Sequence, residues 1–168
     1  MESSIHAHGI YIEIYKEQPD IKYKVEHKDG EIIVTEKKKS EWKNHSIFEG
    51  KITFGSFSKT FRLYCELYSL KDFQEQWQKG LDRLDQCNES CFVMRMFDIH
   101  GSPLIEWWLF YKIGNAIHIQ FRIVVGSIYE DIVGDKLFTL KNCYDFIPKR
   151  QTKEDDGEVI QEIIIEMN

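Results

Sequence analysis

The chain has 168 residues, of which 42% are hydrophobic and 14% aromatic, with a formal charge of −6. That is enough apolar material for one folded domain, and it excludes a disordered or low-complexity chain. The acidic balance argues against nucleic acid or an anionic membrane as the main partner.

The opening Met1-Glu2-Ser3-Ser4 has neither the basic nor the apolar region of a secretory leader, so the expected location is cytoplasmic. No stretch approaches the roughly 18 apolar residues of a membrane-spanning helix. Cys65, Cys87, Cys91 and Cys143 are accordingly expected as reduced thiols.

The first third reads as strands. Residues 10–15 alternate, with Ile10, Ile12 and Ile14 on one face. Residues 21–27 and 31–36 flank Lys28-Asp29-Gly30, a strong hairpin signal. A charged loop runs from Glu36 through Lys37, Lys38 and Lys39 to Glu41. Strands at 47–54 and 60–67 follow, joined around Gly55-Ser56-Phe57-Ser58, with Phe61, Leu63 and Cys65 on one face.

Ser69 is placed to cap a helix at about 70–84, with Asp72 in its first turn. Leu70, Phe73, Trp77, Leu81 and Leu84 form its apolar stripe. Gly80 inside it costs about 1 kcal/mol relative to Ala and points to close packing. A strand at 91–98 places Phe92, Met94 and Met96 on one face.

The most aromatic segment follows: strands at 104–112 and 116–123 around Gly114-Asn115. A two-residue turn there pairs Trp108 with Phe121 and Phe110 with Ile119 on a core face. Trp107 then meets Arg122 as a candidate cation–π pair, Leu109 meets Gln120, and Tyr111 meets His118. This second face is amphipathic, either partly wet or covered by the N-terminal strands.

Asp135 is expected to cap a short second helix at about 136–147, built on Leu137, Leu140, Tyr144 and Ile147 and ended by Pro148. A polar loop and an isoleucine-rich strand at 158–167 complete the chain. The order implies one domain of the α+β class with largely antiparallel sheets, in which residues 1–56 form a strand-rich N-terminal extension.

Catalytic and metal motifs are weak. Cys87 and Cys91 lack a second ligand pair, and His6 and His8 sit near the terminus. Asp98 and His100 are a conceivable acid–base pair with no nucleophile beside them. No phosphate-binding glycine loop, nucleophile elbow or HExxH is present. No cofactor is expected and the chain does not read as an enzyme. The aromatic hairpin admits one alternative, a single-stranded nucleic-acid-binding module.

Charge is distributed unevenly. Residues 1–60 carry ten acids and ten bases, 61–126 eight and seven, and 127–168 ten and five. Five of the six excess negative charges therefore lie in the last quarter, which reads either as a solvated acidic surface or as a docking face for a basic partner.

Three stretches carry a resemblance. Phe61-Arg62-Leu63-Tyr64 leads through Leu70-Lys71-Asp72-Phe73 to Trp77 and Gly80-Leu81. Trp108-Leu109-Phe110-Tyr111 returns as Ile117-His118-Ile119-Gln120. The acidic loop Glu154-Asp155-Asp156-Gly157 precedes a final strand. Over roughly residues 57–165 this resembles the immunity proteins of bacterial contact-dependent growth inhibition (CDI) systems, in their Enterobacter-type branch. The resemblance implies a cytosolic inhibitor of the C-terminal toxin domain, usually a nuclease, of a large exported effector. It would act by covering the active site or blocking substrate access.

The matching positions are core residues, so the expected contacts come from charge and exposure: Glu130, Asp131, Asp135, Glu154, Asp155, Asp156 and Glu158, with Trp107 and Tyr111 as aromatic anchors.

Overall fold

The computed structural model describes residues 3–17, 21–38, 46–99 and 102–167. In chain order the elements are β1 Ser3–Ala7, β2 Ile10–Glu17, β3 Ile21–Lys28, β4 Glu31–Lys38, β5 Ser46–Phe54, β6 Phe57–Cys65, α1 Leu70–Arg83, β7 Glu89–Ile99, β8 Ser102–Ile113, β9 Ala116–Val125, α2 Gly126–Val133 and β10 Ile163–Glu166. One antiparallel sheet has the order β1-β2-β5-β6, the other β10-β9-β8-β7, and β3 and β4 form a separate ribbon. This is the expected α+β class.

The hairpin signals are met. Lys28 pairs with Glu31 across Asp29 and Gly30, which adopt positive φ of 53° and 79°. Ile113 pairs with Ala116 across Gly114-Asn115, and the register is the one expected, Trp108 opposite Phe121 and Trp107 opposite Arg122. Several strands run two residues or so beyond their expected limits, and two differences are larger. β1 is an additional strand, and the β5–β6 turn needs only Gly55 and Ser56, because Phe54 pairs with Phe57.

The alternation of β2 packs Ile10, Ile12 and Ile14 into the core. With Ile52, Phe54 and Leu63 they cover the Trp108–Phe110 face of the second sheet. Phe54 meets Trp108 edge-on at 4.7 Å and Phe110 at 6.0 Å. The N-terminal strands thus cover the first hairpin face, and the second is closed from the other side. Trp107 packs edge-on against Phe138 at 5.4 Å, and the Tyr111 hydroxyl donates to the Pro148 carbonyl at 2.9 Å. Both faces of β8 around Trp107 and Trp108 are therefore interior.

The first helix forms where its cap and stripe require. Ser69 accepts from the Asp72 amide while the Asp72 carboxylate accepts from the Ser69 amide, a closed capping box. The Ser69 hydroxyl, and then the Ser69 amide, donate to the Asp72 carboxyl and pull it below its usual range. Phe73, Trp77, Leu81 and Leu84 are buried.

The helix also closes a sheet edge. β7 is the last strand of its sheet, and α1 supplies side chains in place of a further strand. Gln76 Oε1 accepts from the Val93 amide at 2.8 Å, and its Nε2 donates to the Cys91 carbonyl at 2.9 Å. Trp77 Nε1 donates to the Val93 carbonyl at 2.9 Å.

The second helix is displaced from its expected interval. It lies at Gly126–Val133, where Gly134 ends it at φ 60° and donates its amide to the Glu130 carbonyl. Within 136–147 the regular element is a 3₁₀ turn, Cys143–Phe146. The cause is local competition for the backbone. Asn142 Oδ1 accepts from the Thr139 amide at 2.7 Å, and Asn142 Nδ2 donates to the Leu137 carbonyl at 2.8 Å. Asp135 caps no helix, and Leu137 is 70% exposed. The final strand is shorter than expected, because residues 152–160 turn back on themselves first.

Candidate interaction surface

The seven candidate contact acids of the last quarter occupy two places. Glu130 and Asp131 are exposed on α2, and Asp135 is exposed in the turn after it. Both helical acids lie in the C-terminal half of α2, where the helix dipole disfavours negative charge, so helix stability does not account for them.

The second place is a short hairpin. Lys153 bridges to Val159, the Glu154 amide donates to the Glu158 carbonyl at 2.8 Å, and the Ile160 amide to the Thr152 carbonyl at 3.0 Å. Asp156 Oδ1 accepts from the Glu158 amide at 3.0 Å and shapes the turn. Glu154, Asp155, Asp156 and Glu158 are all exposed.

These carboxylates are not equivalent. Glu154 is engaged by both terminal nitrogens of Arg122, so its charge is offset within the chain. This pair takes the guanidinium that the expected register offered to Trp107. Among the described residues, Glu130, Asp131, Asp135, Asp155, Asp156 and Glu158 have no cationic partner within ion-pair distance.

A polar cluster fixes the hairpin to β9. Glu162 accepts from Arg150 Nε and a terminal nitrogen, each at 2.7 Å, and from Gln120 Nε2 at 2.7 Å, and it lies 2.9 Å from His118 Nδ1. Gln120 also donates to the Gln151 carbonyl. The Arg150 hydrogen bonds, then those of His118 and Gln120, pull the Glu162 carboxyl down to about 2 against the cost of its burial. Such a group favours the folded state above its ordinary value of 4.5, and that contribution is lost as pH falls toward 2. Glu162→Gln is therefore expected to lower stability at pH 7 by about 2 kcal/mol. It should also flatten the fall in melting temperature between pH 5 and pH 2, measured by thermal denaturation across that window; an unchanged acid limb would refute the assignment.

Two expected anchors are corrected. Trp107 and Tyr111 are 1% and 3% exposed, enclosed by the 138–148 segment that the hairpin face draws over itself. Burial pushes the Tyr111 phenol up. Trp108 and Phe110 are likewise buried, so the hairpin offers no stacking platform for bases. His100 lies outside the described residues, as do Lys39 to Glu41 of the expected charged loop, whose first residues, Glu36 to Lys38, belong to β4 instead. Cys91 faces Cys143, with the sulfurs 3.7 Å apart, rather than Cys87, and burial pushes its thiol well up, leaving it unreactive. Among the described residues no group of three or more His, Cys, Asp or Glu is placed to hold a metal ion. Nor is any described helix long and apolar enough to cross a membrane.

Sequence reasoning missed an apolar component beside the acidic hairpin. Phe57, Ile123 and Val159 are 38%, 52% and 66% exposed, and Phe121, expected in the core, is half-buried. The readable signal was the alternation Phe121, Ile123, Val125, which continues beyond the residues that β10 pairs.

Comparison with known proteins gives two matches. A family model described as the CdiI N-terminal domain matches residues 64–168. Among solved structures, the CdiA-CT/CdiI toxin and immunity complex from Enterobacter cloacae contains a chain with the same fold, at a TM-score of 0.60 and 18% identity over 87% of each chain. No curated protein sequence matches. The matched segment runs from the end of β6 to the C-terminus and takes in α1, the whole second sheet and both acidic places, so the chain belongs to the CdiI family of immunity proteins.

Proposed function

We propose that this chain is an immunity protein that binds and neutralises the C-terminal toxin domain of its cognate contact-dependent growth inhibition effector, in the cytoplasm of the cell that makes it. The toxin is a nuclease on this reading, and inhibition is by occlusion: the bound chain covers the active site or bars the nucleic-acid substrate, with no chemistry of its own. The family match over residues 64–168 carries the proposal.

The charge arrangement supports it. A nuclease domain must be basic where it meets phosphate, and unpaired carboxylates on a fixed hairpin and on α2 are complementary to such a surface. Each partner would bury roughly 800 Å² in a standard interface.

The direct test is co-expression with the toxin domain encoded beside this chain, read by co-purification and survival of the host. Failure of both would remove the proposal. Reversing two unpaired carboxylates, Asp131→Lys with Asp155→Lys, is expected to lower the association rate about tenfold at low salt and to weaken its salt dependence. Stopped-flow association rates that match the unmodified chain at every ionic strength would exclude these carboxylates from docking.

A further inference from the structure

The second sheet is incompletely covered. β10 pairs with β9 only from Ala116 to Ile119, so among the described residues β9 beyond that point has no strand neighbour on that side. The first sheet covers Trp108 and Phe110 through Phe54, and its coverage runs out over Phe121 and Ile123. Two adjoining concavities result, of about 510 and 430 Å³, which share Trp108 and Phe121 as their floor. The larger is walled by Phe57 on one side and by Glu158 and Val159 of the acidic hairpin on the other. The smaller runs on past Lys59 to Ile123.

From this geometry we infer that the Trp108–Phe121 groove is the seat for an apolar side chain of the partner toxin domain, presented on a basic segment. The inference rests on the immunity reading and specifies which surface of the chain carries the binding energy. Exposed apolar side chains here are contiguous around a pocket rather than scattered, and an apolar pocket rimmed by charge is the usual anatomy of an interface hot spot.

The charge of the rim selects the occupant. On the hairpin wall Arg122 offsets Glu154, while Asp155, Asp156 and Glu158 have no cationic partner among the described residues. Glu158 lines the groove, with Asp155 and Asp156 beside it on the hairpin; on the opposite side the Lys59 ammonium lies over the Phe121 ring at 4.8 Å, while Arg62 and Arg95 of the smaller concavity are already paired with Glu49 and Glu106. An apolar residue flanked by Lys or Arg satisfies both floor and rim. A second copy of this chain would bring a like acidic hairpin to the same rim and be repelled. The Glu162 cluster holds the hairpin wall in place before binding, which lowers the ordering cost of association.

The test uses the full chain and the toxin domain encoded beside it. Ile123→Ser with Val159→Ser removes apolar surface at two positions that are more than half exposed, so the fold is retained. Binding measured by calorimetry and dissociation kinetics is expected to weaken about tenfold or more, mainly through faster dissociation. Leu67→Ser, an exposed apolar position outside the groove, is expected to stay within about twofold. A double variant that binds within about twofold of the unmodified chain would overturn the groove assignment and leave the immunity reading standing. Absence of any binding by the unmodified chain would overturn the immunity reading and the groove with it. Concentration-dependent self-association that the double variant abolishes would reassign the groove to a second copy of this chain and overturn the toxin-anchor inference.

Discussion

Replacing Gln76 by Leu is expected to destabilise the domain by about 3–5 kcal/mol, although the side chains are close in size and leucine is the better helix former. Gln76 is 3% exposed and makes both bonds that its amide offers to the β7 edge. Its Nε2 also donates to the Tyr144 hydroxyl at 2.9 Å, and that hydroxyl donates to the Gln76 carbonyl at 2.7 Å. Leucine would leave the Val93 amide and the Cys91 carbonyl without partners in a dry site, and remove one bond from Tyr144. Each buried group left unpaired costs about 1–3 kcal/mol. Burial already pushes the Tyr144 phenol well up, so ionisation offers no relief. Urea denaturation gives the measurement. A loss below about 1 kcal/mol would mean that water replaces the amide, and the side-chain strand edge would then have no energetic role.

Gly80→Ala is expected to cost about 3 kcal/mol, opposite in sign to the gain of about 1 kcal/mol that helix propensity gives. A Cβ at position 80 would lie 2.6 Å from the Cys91 carbonyl oxygen and 3.0 Å from the Phe92 ring. The first is backbone of the β7 edge that Gln76 already bonds, and it cannot yield without moving the strand. The Ser90 hydroxyl also donates to the Gly80 carbonyl at 2.6 Å, which fixes helix and strand at this contact. Thermal denaturation of the variant decides the sign; stabilisation would show that α1 can withdraw from the sheet without loss. The two substitutions test different aspects of one contact, the polar edge and the close approach.

Much of this fold is local chemistry and was open to reading. Ser69 and Asp72 close the capping box that their spacing promises. Asp29-Gly30 and Gly114-Asn115 make the turns that their conformational freedom permits, and the turn at Gly114-Asn115 sets the register of β8 and β9 without reference to the rest of the chain. The helix at 136–147 failed because periodicity cannot register a side chain that takes the backbone's hydrogen bonds, as Asn142 does at Thr139 and Leu137.

The candidate surface divides along the same line. That the seven candidate acids would be exposed followed from their charge. Which of them keep their charge unpaired did not, because Arg122 and Glu154 are 32 residues apart and meet only when the hairpin folds onto β9.

By itself the sequence determined the strands after β1, the capped helix, the register of the Gly114-Asn115 hairpin and the placing of negative charge toward the C-terminus, since each depends on neighbours a few residues apart. The tertiary structure alone decided that both faces of the Trp107-Trp108 strand are interior, that α1 stands in for a missing strand, and that an apolar groove lies open beside the acidic hairpin. Those outcomes depend on how far one sheet extends over the other, and no periodicity along the chain encodes that distance.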